Sequence, residues 1–94
     1  MIKNFRCKET ERVFNRLFAR KLPQELQRLM YKKLLMLNRA GLLTDLRVPP
    51  SNHLEALRGN RVGQHSIRIN DQWRICFVWQ GADALNVEIV DYHR

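Results

Sequence analysis

The residues best equipped for chemistry in this chain are arginines and a closing acidic-aromatic-imidazole run. From Arg58 onward Lys is absent, and the fixed cations are Arg58, Arg61, Arg68, Arg74 and Arg94. A guanidinium offers a planar fork of donors matched to phosphate oxygens, and its charge is permanent. The chain then closes on Asp91, Tyr92 and His93. An imidazole titrates near neutral pH, so His93 is the best candidate for proton transfer. Tyr92 can stack on a base or donate through its hydroxyl. In a strand Asp91 and His93 would share one face and Tyr92 the other. Exposed strand arginines without a task, followed by a solvated tail, are the alternative reading of this pattern.

Other chemistries find little support. His53, His65 and His93 lack metal-ligand spacing, and neither Cys7 nor Cys76 has a Cys or His nearby, so no metal or cofactor is expected. Gly59 and Gly63 flank Asn60-Arg61-Val62, which reads as a turn and not as a phosphate-cradling loop. No base and orienting acid can be placed beside a serine nucleophile.

These residues must be held by a small scaffold. A chain of 94 residues is expected to make a single domain, residues 1–94. Seventeen Lys and Arg oppose nine Asp and Glu, a net charge of +8. That excess calls for a polyanionic partner: nucleic acid, an anionic membrane surface or an acidic protein. The two cysteines read as reduced thiols, and neither a signal-peptide core nor a membrane-spanning run is seen, so a cytoplasmic location without a membrane partner is expected.

Hydrophobic period divides the chain. Ile2 to Cys7 suits a short first strand. Thr10 suits the cap of a helix whose stripe is Val13, Phe14, Leu17 and Phe18. Pro23 suits the first turn of a second helix bearing Leu26, Leu29, Met30, Leu34 and Leu37, with Gly41 as its stop. A connector broken by Pro49-Pro50 follows. Then the period becomes two. His65, Ile67 and Ile69 alternate with Ser66 and Arg68. Trp73, Ile75, Phe77 and Trp79 alternate with Arg74, Cys76 and Val78, and Leu85, Val87 and Ile89 with Asn86 and Glu88. Turns are expected at Asn70-Asp71 and at 80–83. The expected fold class is α+β, a helical hairpin packed on a small antiparallel sheet. Arg68 and Arg74 would project from the sheet's free face.

Three stretches together resemble the HigB toxins of the RelE-like superfamily. They are Leu54-Glu55-Ala56-Leu57-Arg58-Gly59-Asn60-Arg61, Gly63 to Phe77 with its Ser-Ile-Arg-Ile-Asn-Asp-Gln-Trp-Arg-Ile core, and Val87-Glu88-Ile89-Val90-Asp91-Tyr92-His93. The similarity is dense from Pro50 to His93 and looser toward Met1. It implies a RelE-like microbial RNase fold and an endoribonuclease that cuts messenger RNA in the ribosomal A site. It also implies a HigA-type helix-turn-helix antitoxin partner, with DNA reached only through the toxin–antitoxin complex. By position, Arg58 stands where relatives often carry Lys, Arg74 matches the strand arginine, and Asp91, Tyr92 and His93 match active-site residues. Glu55 departs from relatives that carry histidine there, and Arg58 cannot act as a base. Arg58 and Arg74 would then stabilise the phosphorane and His93 would move a proton. Asp91 would either orient His93 or accept a proton itself. Arg61 and Arg68 would grip RNA backbone. The rival classes are a ParE-like poison of DNA gyrase, which lacks this residue set, and a non-cleaving RNA-binding module.

Overall fold

The computed structural model describes residues 1–92; His93, the expected proton-transfer group, and Arg94 lie outside them. Four strands form one antiparallel sheet in chain order: β1 (Glu55–Ala56), β2 (His65–Arg68), β3 (Trp73–Gln80) and β4 (Asp83–Asp91). Two helices, α1 (Lys8–Phe14) and α2 (Gln27–Arg39), lie against it, which is the expected α+β architecture. The helical stripe and the strand alternation meet in the core. Met30, Leu34 and Leu37 of α2 are buried with Ile67, Ile75, Phe77, Val87 and Ile89 of the sheet. Among the described residues no helix is long and apolar enough to cross a membrane.

Several boundaries differ from the sequence pattern, each for a physical reason. The cap of α1 is Cys7, three residues earlier than the expected Thr10. Its hydroxyl is instead buried and accepts the Ile89 N–H at 2.9 Å, standing in for the neighbouring strand that the edge of β4 lacks at that point. The helix also stops early. Arg16 turns left-handed at φ 62, its N–H bonds Val13 O at 3.0 Å, and the Leu17 N–H bonds Arg12 O at 2.8 Å. This paired closure is the Schellman arrangement, usually made by glycine. Leu17 and Phe18 therefore leave the helix and are exposed. In α2, Gln24–Leu26 form a 3-10 turn after Pro23, and Leu29 lies at the surface.

The first segment is not a continuous strand. It runs parallel to β4 and touches it in two isolated bridges, Ile2 with Ala84 and Phe5 with Val87. Between them β4 bulges. Cys76 pairs with Glu88 but Val78 pairs with Leu85, so β4 carries one extra residue there. Asn86 absorbs it at φ 53, and its N–H donates to Asn4 Oδ1 at 2.8 Å. The bulge moves Leu85 off the core face, where simple alternation with Val87 and Ile89 had placed it.

Candidate active site

The sheet face turned away from the helices carries the polar constellation. Arg68 and Arg74 are direct partners across β2 and β3, and residues paired across a ladder share a face. Ser66 pairs with Cys76 and with Glu55, which brings all of these to the same side.

Arg74 is the most strongly held member. Its Nε donates to Ser66 Oγ at 2.7 Å, and Nη2 donates to the His53 carbonyl at 2.6 Å. Glu55 Oε1 lies 3.7 Å from Nε, and the side chain is only 11% exposed. The guanidinium is thus pre-set by a hydroxyl, a carbonyl and a nearby carboxylate. The Tyr92 ring centroid lies 6.0 Å from Arg74 Cζ, within cation–π range. Burial pushes the Tyr92 phenol above its ordinary range, outweighing the pull of Arg61 and Arg74 in the other direction. It keeps its proton at neutral pH and can donate.

The His53 carbonyl is aimed by the connector before it. His53 is left-handed at φ 44 and closes a 3-10 turn over Pro50–Asn52. Asn52 is fully buried and donates to Leu46 O at 3.1 Å while accepting from Lys33 Nζ at 2.6 Å. Burial, then the charge of Arg68, pull the Lys33 ammonium below its usual pKa. One amide therefore ties α2 to the segment that holds Arg74.

Arg58 comes from a tight turn. Gly59 follows it at φ 65, a conformation that a side chain would strain. The Leu57 N–H bonds Gln64 O at 2.9 Å across the turn. Arg58 lines a cleft of ≈ 410 Å³ with Glu55, Ala56, Leu57 and Tyr92. Arg61, at the end of the same turn, donates to Glu88 Oε1 and Gln64 Oε1, both at 2.9 Å. The Glu88 bond raises its pKa further. Arg68 pairs with Asp71 across the turn between β2 and β3.

Arg58 and Tyr92 thus line one cleft, and Arg74 lies beside it, 3.7 Å from Glu55 and 6.0 Å from the Tyr92 ring. Asp91 does not join them from its own position. It pairs with Trp73, whereas Arg74 pairs with Val90, so Asp91 lies on the helix-side face and accepts from Gln72 Nε2 at 3.1 Å. Tyr92 continues the alternation to the other side, its N–H bonding Gln72 O at 2.6 Å. Three contributors escaped the sequence reading. Ser66 carried a signal, since it alternates onto the same face as Arg68. The His53 carbonyl and the Asn52 amide carried none, because their roles arise only from a folded connector.

The constellation combines guanidinium groups with a phenolic donor, a set of donors suited to an anionic group. The family model described as "RelE-like toxin of type II toxin-antitoxin system HigB" matches residues 3–93. The chain belongs to the HigB family of RelE-like toxins. It is 40% identical over 75 residues to "Toxin HigB-1" of Vibrio cholerae, covering 80% of this chain and 78% of that protein. It is 34% identical over 67 residues to an "Uncharacterized protein" of Haemophilus influenzae, covering 71% and 66%. As a HigB toxin, the chain is one half of a type II toxin–antitoxin pair, and its partner is an antitoxin. The cleft lined by Arg58 and Tyr92, with Arg74 beside it, is the candidate seat of its toxic activity.

Proposed function

We propose that this HigB toxin acts in the cytoplasm as an endoribonuclease that cuts messenger RNA in the ribosomal A site. The observation that carries the reading is that Arg58 and Tyr92 line one open cleft while Arg74, preset by its own hydrogen bonds, lies beside it within 6.0 Å of the Tyr92 ring. RNA cleavage by 2′-hydroxyl attack must stabilise a phosphorane whose charge builds on its equatorial oxygens. Preorganised guanidinium groups suit that task because they need no reorganisation as the charge develops. Arg74, held by Ser66 and His53, is preorganised in this sense; Arg58, at the cleft wall, is the second cation. Tyr92 aligns the nucleotide through its ring or its retained phenolic proton. His93 gives a proton to the leaving 5′-oxygen, and Asp91 orients His93 or accepts a proton itself. Arg61 and Arg68 bind RNA backbone, so affinity falls as salt rises. The antitoxin is of the HigA helix-turn-helix type, and DNA is reached through its complex.

Primer extension on a message translated in a cell extract tests this. Wild-type protein should produce cuts at the A-site codon with 2′,3′-cyclic phosphate ends or their opened form. Arg74→Ala and His93→Gln should abolish them while the proteins stay folded. A 3′-hydroxyl product, or growth arrest with DNA damage and intact message, would refute the assignment.

A further inference from the structure

The helical side of the sheet, away from the cleft, carries a second surface feature. Between α1 and α2 a groove of ≈ 290 Å³ is lined by the apolar groups of Leu17, Phe18 and Tyr31 and by the cations Arg16 and Arg28. Leu17 is 51% exposed and Phe18 53%, two large apolar side chains in succession. They face solvent because α1 ends at Arg16, whose φ of 62 is a conformation that a side-chain-bearing residue adopts at a cost.

This exposure is built into the loop. Arg12 Nε donates to Phe18 O at 2.8 Å. Ala19, fully buried, donates its N–H to Gln27 Oε1 at 3.1 Å and accepts from Gln27 Nε2 at 2.7 Å. The same Gln27 nitrogen donates to Leu22 O at 2.9 Å, and the Lys21 N–H donates to Glu9 Oε1 at 2.9 Å. Arg16 lies over Tyr31, its Cζ 5.0 Å from the ring centroid. Every bond holds the loop in the form that turns Leu17 and Phe18 outward. A surface fixed before contact loses little ordering entropy when a partner arrives.

Charge selects the occupant. Among the described residues no carboxylate lines the groove, and Arg16 and Arg28 are both exposed there, with Arg20 and Lys21 exposed in the adjoining loop. A second copy of this chain, itself at +8, would set cations against cations. A bare nucleic-acid backbone would leave Leu17 and Phe18 uncovered. The partner of a type II toxin is an antitoxin. We propose that the groove docks an acidic, amphipathic segment of that antitoxin. Its apolar side chains cover Leu17 and Phe18, and its carboxylates meet Arg16 and Arg28. This docking rests on the toxin–antitoxin pairing and is independent of the nuclease reading.

The test is isothermal titration of the full-length toxin with its own full-length antitoxin, with circular dichroism melts to confirm that each variant is folded. Replacing both anchors, Leu17→Ser with Phe18→Ser, should raise Kd about 30-fold or more. Arg28→Glu should raise it about tenfold or more, while Arg39→Glu, the same charge change at the other end of α2, should raise it less than about threefold. A benzophenone side chain placed at Phe18 should cross-link to an antitoxin segment in which Asp or Glu alternates with apolar residues. Four results would each overturn the proposal: a double variant within about threefold of wild-type Kd, equal losses for Arg28→Glu and Arg39→Glu, no binding by the wild-type toxin, or cross-links from position 18 only to RNA or to a second toxin.

Discussion

Replacing Asn52 with alanine should loosen the scaffold and the site together, and the size of the effect can be worked from the contacts. Asn52 is fully buried. Its amide nitrogen donates to Leu46 O at 3.1 Å in a buried bond, and its oxygen accepts Lys33 Nζ at 2.6 Å. Alanine leaves the Leu46 carbonyl without its side-chain donor in a dry site, at a cost of about 1–3 kcal/mol. The Lys33 ammonium also loses a charge-assisted partner, but it is only part-buried and water replaces some of that loss; we count about 1 kcal/mol for it. The sum is roughly 2–4 kcal/mol, a large share of the stability of a small domain. For a chain of this length it lowers Tm by roughly 10–25 °C. Urea denaturation followed by circular dichroism measures the change. A double-mutant cycle with Lys33→Met isolates the Lys33 contribution. Because Asn52 precedes the carbonyl that holds Arg74, cleavage should also fall at temperatures where the variant is still fully folded. A destabilisation below about 1 kcal/mol would show that the amide is not the hub described here.

Four further outcomes follow from contacts elsewhere in the fold. Arg74→Lys preserves charge but cannot bond Ser66 Oγ and the His53 carbonyl in the same fork, so cleavage should drop at least about 100-fold in the extract assay. Thr10→Val removes the acceptor of the Ile89 N–H at nearly constant volume and should cost about 1–2 kcal/mol in urea melts, with little effect on cleavage by the folded fraction. Cys76 should resist alkylation at pH 8 while the half-buried Cys7 reacts more readily, as peptide mapping after iodoacetamide treatment would show. The unfolded chain loses the Cys76 proton near the ordinary value of 9.0, the folded chain only near about 11. The stability this thiol contributes is therefore complete below pH 9 and is lost as pH rises through that window, by about 3 kcal/mol at most. A Cys76→Ala variant should show a shallower decline there.

Much of the fold was legible because neighbouring residues encode it. The three- and four-residue spacing of Met30, Leu34 and Leu37 marks one face of a helix. The alternation of Ile67 with Arg68 and of Arg74 with Ile75 assigns each strand a dry and a wet side. The exceptions came where the chain breaks its own period. A glycine would have announced the end of α1, but Arg16 occupies the left-handed position. Simple alternation misplaced Leu85, because the extra residue at Asn86 is detectable only against a partner strand. Thr10 resembled a helix cap, yet its oxygen bonds Ile89, seventy-nine residues away.

The candidate site divides along the same line. Residue type and alternation alone determined that an arginine pair would lie on the sheet face away from the helices, since a strand must send successive side chains to opposite sides. They also separated Asp91 from Tyr92 by one step of the pleat. What local pattern could not contain was the company each group would keep. Glu55 reaches Arg74 because β1 joins the edge of β2, and His53 reaches it because Asn52 anchors the connector to α2. Those contacts depend on loop closure and packing between distant segments, and their energies exist only once the chain has folded.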